Sequence, residues 1–286
     1  MIAENACPTC GTPFQGRFCH TCGEKRLGPH DLSLGHYWHE LVHGFTHADG
    51  KIIKSLKAVL LRPGELSRAY MAGRRQFYMR PVSLFIVLNL IYFLVPLFEV
   101  FNTTLHSQMH FNPYSAMARQ WIETTTTAAG TDFAAYQQAY APRSSSNAKL
   151  MLVLLVFILS LPMALLYRGK SRWTSGHVTF SFEVMIFNLM TTAILMALLL
   201  FGLAVMIQWA GGDPAFIVQE RVTSSFAFVL NMFLFFNAGR RFYQCSIPGA
   251  FWRALVGTML LLLCLTIYRF LLFVVTHWQV KAALGG

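Results

Sequence analysis

The chain has 286 residues, 55% of them hydrophobic and only 12% charged, with a formal net charge of +11. A soluble globular chain carries roughly 25% charged residues, so this composition excludes an ordinary soluble domain and points to an integral membrane protein. In a soluble protein such an excess of cations would suggest nucleic acid. Here they cluster beside apolar spans, where they orient the chain and meet anionic lipid, and no nucleic-acid partner is expected.

The first ten residues, MIAENACPTC, have neither the basic start nor the apolar core of a cleavable signal peptide, so the N-terminus is expected in the cytoplasm. Residues 7 to 22 read CPTCGTPFQGRFCHTC: Cys7 and Cys10, then Cys19 and Cys22, each pair followed by a glycine. Two such knuckles present four thiolates to one tetrahedral ion, and the glycines ease the tight turns. A module of residues 1–28 is too short for a core of its own, so one structural Zn²⁺ would supply its folding free energy. A cytoplasmic location argues against structural disulfides there. His20 lies inside the second knuckle, but four cysteines leave it no vacancy.

Residues 29–81 read as basic amphipathic helices on the cytoplasmic membrane surface. Within them His36, His39, His43 and His47 recur at steps of three, four and four, one stripe of a helix. His39, Glu40 and His43 form a formal H-E-x-x-H match, the motif in which two histidines bind zinc and the glutamate activates water. No further soluble catalytic domain follows, so three readings stand side by side: a zinc hydrolase, a non-catalytic metal site, and histidines that simply pack. Next, KIIKSLKAVLL places Ile52, Ile53, Leu56, Val59 and Leu60 on one face and Lys51, Lys54 and Lys57 on another. Arg62, Pro63 and Gly64 end that helix, and Glu65 opens a second. From Arg62 to Pro81 the cations Arg62, Arg68, Arg74, Arg75 and Arg80 alternate with Tyr70, Phe77 and Tyr78, which suits the water–lipid boundary.

Five apolar spans are predicted in residues 82–286, at about 82–101, 149–167, 180–208, 216–238 and 251–276. Each is long enough for a hydrocarbon core of roughly 30 Å at about 1.5 Å per residue. Arg168, Lys170 and Arg172 in one short loop and Arg240 and Arg241 in another lie on the same side as the basic head, which puts the N-terminus inside and the C-terminus outside. The stretch 102–147 is then an outer loop, with a helix over Met117 to Thr127, a linker around Ser144, and His106 and His110 only a weak metal pair. Intramembrane charges are functional candidates by default. Arg269 is expected to face Glu220, with Glu99 as the alternative, either fixing helix register or lying on a transport path. His177 and Glu183 share a helix face without direct contact, and Cys245 and Cys264 read as packed, unpaired thiols.

The order of these features resembles the bacterial membrane family known as domain of unknown function 3667. The resemblance is carried by the two knuckles, by His47-Ala-Asp49-Gly50-Lys51 and Ser55-Leu56, by Arg62-Pro63-Gly64, and by Tyr70-Met-Ala-Gly73-Arg74-Arg75 with Tyr78 and Pro81. Weaker echoes lie at His177 to Phe180 and at Arg240 to Tyr243. The resemblance implies a zinc-knuckle head on a multi-pass protein of the bacterial inner membrane; it supplies no activity, and its pattern is not organised around H-E-x-x-H.

The expected fold is therefore an all-α polytopic integral membrane protein with a small N-terminal zinc-ribbon module and a periplasmic C-terminus. The expected function is non-enzymatic: a zinc-stabilised head that docks a cytoplasmic protein or anionic lipid. A membrane-bound hydrolase using His39, Glu40 and His43, and a transporter or channel with Arg269 and Glu220 on its path, are the rivals.

Overall fold

The computed structural model describes residues 12–13, 15–16, 20–21, 50–72, 77–94, 101–170, 174–213 and 220–284. The side chains of Thr174, Ala197, Glu220, Arg221 and Val222 stand outside that description. The chain divides into two units, residues 1–51 and 52–286. Cys7, Cys10, Cys19, Cys22, His39, Glu40, His43, Arg74, Arg75 and Glu99 lie outside the described residues.

Among the described residues every regular element is helical. Helix α1 covers residues 50–61 and α2 Glu65–Met71; α3 is Pro81–Leu94, α4 Leu105–His110, α5 Ser115–Ala129 and α6 Phe133–Leu166. Helix α7, Thr174–Asn188, runs through a π turn, Leu189–Leu195, into α8, Met196–Trp209, before α9, Glu220–Arg241, and α10, Ile247–Leu284. Three stretches are long and apolar enough to cross a membrane: α6, the continuous Ser175–Trp209, and α10. The described α3 has 14 residues, about 21 Å at 1.5 Å per residue, short of the roughly 30 Å of hydrocarbon. Helix α9 is 22 residues long but begins Glu220-Arg221 and ends Arg240-Arg241, which lowers its apolar content.

The spine is the pairing of α6 with α10. Along α6 the buried side chains Tyr136, Tyr140, Ser144, Ala148, Leu152 and Val156 recur every four residues, one continuous stripe. That stripe explains why the predicted linker around Ser144 is instead the middle of a 34-residue helix. Asp132 caps its start by accepting a 2.8 Å hydrogen bond from the Ala135 amide. Pro142 and Pro162 sit inside it, as neighbouring helices permit in membrane bundles. The stretch 102–147 is thus mostly helix, divided among α4, α5 and the start of α6. Leu105, Ala118 and Ile122 of α4 and α5 form a second small core with Tyr136, Tyr140, Phe273 and Val280, on the extensions of α6 and α10. Helix α5 includes the predicted Met117–Thr127 helix and stops at Gly130, whose φ of +61° suits the left-handed C-cap.

Helix α7 is the buried centre. From Phe180 to Leu189 every side chain is buried, because α2, α3, α6 and α9 all pack against it. Such a helix has no solvent face, so any polar group on it must find partners inside the protein. Asn188 does so with Asn231 of α9: each amide donates to the other's carbonyl oxygen at 3.0 Å. Cys245 and Cys264 are buried and unpaired.

Candidate functional site

Helices α1 and α2 pack against the main core, and a buried carboxylate of the central helix reaches the turn between them. In α1, Ser55, Ala58 and Val59 are buried, while Ile52, Leu56 and Leu60 pack partly against the main core. The apolar face predicted for the membrane surface is therefore turned largely onto protein. Pro63, buried and lacking an N–H, and Gly64, with φ of +87°, end the helix and reverse the chain. A Cβ on Gly64 would stand 2.8 Å from the Cα of Ala238 in α9, so the turn lies directly on that helix.

The turn leaves the amides at the start of α2 without helical acceptors. Glu183 of α7, fully buried, supplies them: Gly64 N–H donates to Oε1 at 2.7 Å and Ser67 N–H to Oε2 at 2.8 Å. The Ser67 hydroxyl also donates to Oε2. Hydrogen bonds from backbone donors are what a buried carboxyl group needs to offset its lost hydration. Both oxygens are occupied by protein donors, so Glu183 serves as a clamp, holding a segment 116 to 119 residues away in sequence.

Residues 49–93 match the family model described as Protein of unknown function (DUF3667). The DUF3667 segment thus comprises α1, the Arg62-Pro63-Gly64 turn, α2 and nearly all of α3. Every group that Glu183 grips lies within it. No curated protein and no solved structure gives a match to the chain.

Beside the clamp, at the end of α9, Tyr243 is sandwiched between aromatic neighbours. Its ring stacks on Tyr167 at 3.7 Å and 8°, and on His177 at 5.6 Å and 18°. Its hydroxyl lies 3.1 Å from His177 Nδ1. Burial, reinforced by Tyr167 and Glu183, pushes the Tyr243 hydroxyl well above its ordinary range, so it stays a neutral donor. His177 and Glu183 therefore have separate partners, Tyr243 for one and the DUF3667 turn for the other.

The outward face of the DUF3667 segment is cationic: Lys51, Lys54, Lys57, Arg62, Arg68 and Arg80 are all exposed. Arg68 also pairs with Glu65 one turn back at 2.9 Å. His106 and His110 stack at 4.3 Å, and His110 Nδ1 bonds the His106 carbonyl, a local helix contact. They border a cavity of about 820 Å³ beside α4 and α6. Arg269 lines a different cavity, of about 520 Å³, among α8, α9 and α10. No described carboxylate pairs with it, and the side chain of its expected partner Glu220 is not among those described. The sequence singled out Glu183 only as a charge at the entrance of a span. Its partners, more than a hundred positions earlier, left no local signal.

Proposed function

We propose that this is a non-enzymatic multi-pass membrane protein whose DUF3667 segment is a rigid basic collar resting on anionic headgroups. One observation carries the reading: Glu183 pins the collar's turn to the central helix while Lys54, Lys57, Arg62, Arg68 and Arg80 point outward. A fixed array of exposed cations beside apolar spans has anionic lipid as its natural counterpart, each cation near the surface contributing about 1 kcal/mol. The bundle is bacterial inner-membrane in setting, with five crossings, α3 and α9 completing the set, an inward N-terminus and an outward C-terminus.

Ahead of the collar, the head binds one structural zinc ion through Cys7, Cys10, Cys19 and Cys22 and is carried at the cytoplasmic surface, where it meets a protein partner. Metal content per chain, measured by elemental analysis on detergent-purified protein, tests this. One zinc is expected in the wild type and in His39→Ala/His43→Ala, and none in Cys7→Ser/Cys10→Ser. A second metal lost with the two histidines would revive the hydrolase.

The collar has its own test. In nanodiscs containing phosphatidylglycerol, tryptic cleavage at Lys54 and Lys57 should slow about tenfold relative to phosphatidylcholine discs, and high salt should abolish the difference. Equal rates in both lipids would remove the lipid-docking role.

A further inference from the structure

The π turn does something to the bundle that the collar does not use. From Phe180 to Leu189 the helix is buried all round; beyond the π turn, α8 is almost wholly exposed, with only Leu200 buried among its described side chains. Thr191 and Thr192 turn their hydroxyls back to the carbonyls of Phe187 and Asn188, at 2.7 and 2.5 Å, within the wide turn. Helix α8 continues directly from the π turn and makes no extensive interface with α9 or α10. A cavity of about 520 Å³ is bounded by the π turn, α8, α9 and α10.

The lining is divided by chemistry. Asn188, Thr192, Asn231 and Thr258 supply polar groups, while Leu200, Phe228 and Leu262 supply apolar surface. The one cation in the lining is Arg269, half-buried, whose Nε is enclosed and without a hydrogen-bond partner. A buried guanidinium nitrogen left unbonded is costly, and a phosphate oxygen satisfies the group bidentately. Arg269 lies roughly 33 Å along α10 from its collar end, at about 1.5 Å per residue. With a hydrocarbon core of roughly 30 Å, that places it near the opposite headgroup boundary. Leu198 and Leu199 of α8 and Phe226 and Val229 of α9 are exposed and apolar.

We propose that this cavity binds one net-anionic phospholipid, its phosphate on Arg269 and an acyl chain in the gap between α8 and α9. The charge selects an anion, the enclosing apolar walls select an acyl chain, and the opening faces where lipid is. Asn188 and Asn231, whose amides hold each other, form a fixed polar wall behind the headgroup.

Thermal unfolding of the full chain in a neutral detergent tests this, with phosphatidylglycerol, phosphatidylcholine or inorganic phosphate added at equal phosphate concentration. Phosphatidylglycerol should raise the wild-type midpoint by about 5 °C, the size of shift that near-saturating binding gives a chain of this length. The shift should persist in a collar variant, Lys54→Gln/Lys57→Gln/Arg62→Gln, and vanish in Arg269→Gln. Arg269→Lys should restore part of it. Ala227→Phe, which fills the cavity from α9 and leaves the arginine in place, should also abolish it, so a misfolded Arg269→Gln would not leave the question open. An undiminished shift in Arg269→Gln or Ala227→Phe would overturn the proposal. So would a shift of equal size with inorganic phosphate, which would make this a free-anion site, or one lost only in the collar variant.

Discussion

Replacing Glu183 by alanine should lower the unfolding midpoint in detergent by roughly 10–20 °C, the largest effect expected of any single substitution. The change strips the acceptor from three buried donors, the amides of Gly64 and Ser67 and the Ser67 hydroxyl. Each stranded donor costs about 1–3 kcal/mol, and a chain of this size shifts by about 2–4 °C per kcal/mol. A loss of about 5 kcal/mol is a large part of the 5–15 kcal/mol that a typical domain has. Glu183→Gln should retain about half of the stability, because the carboxamide keeps one acceptor but turns an NH₂ toward a donor. The loss should be local first. Trypsin should cut at Arg68 in Glu183→Ala under conditions that spare the wild type, because the turn held by the carboxylate is what seats that residue. A midpoint within about 2 °C of wild type, with unchanged digestion, would mean that the hydrogen bonds contribute nothing and that apolar packing alone seats the collar.

Gly64→Ala is the second large effect, expected at about 3 kcal/mol, and it arises from two separable causes. The positive φ of 87° costs an L-residue about 1–2 kcal/mol. The added Cβ also meets backbone, the Cα of Ala238 at 2.8 Å, so nothing flexible can give way and overpacking adds about 1–3 kcal/mol. Gly130→Ala separates the two. Its φ is +61° but no atom lies within 4 Å of the new Cβ, so it should pay the backbone term alone. Equal midpoints for the two variants would show that the turn stands farther from α9 than the distance implies. A larger deficit in Gly64→Ala than in Gly130→Ala, accompanied by faster cleavage at Arg68, is the expected result.

Both effects concern the same few residues, and together they say how the DUF3667 segment works as a unit. Leu66 and Ala69 of α2 bury apolar surface against the bundle, which gives affinity without direction. Glu183 adds the direction: its two oxygens accept only when the turn adopts one geometry. The turn that carries the collar's cations is thereby held in one geometry.

Much of this molecule was legible in the residues themselves. The long apolar runs of α6 and α10 require burial in lipid or protein whatever the tertiary arrangement, and the low charge content leaves lipid as the solvent. The lysine spacing in α1 sets a basic face because helical geometry is local. Pro63 with Gly64 ends α1 for the same reason, since both act through their own φ. Other features depended on partners distant in the chain. The four-residue stripe of Tyr136, Tyr140 and Ser144 sits in a segment polar enough to pass for a loop, and α10 decides that it is helix. The apolar face of α1, amphipathic by sequence, was equally compatible with bilayer or protein; the central helix and its neighbours claim it. Glu183 in isolation is an expensive charge in an apolar run, and only the fold brings to it the amides that α2 must otherwise leave unsatisfied. Arg269 is the converse case, a charge whose surroundings remain partly open where it borders the cavity among α8, α9 and α10. Local geometry follows from neighbours in sequence, so the chain alone determined the apolar runs, the basic face of α1 and the turn that ends it. Satisfaction of buried charge depends on groups that meet only on folding, so the tertiary structure decided which charge is a clamp and which borders a cavity.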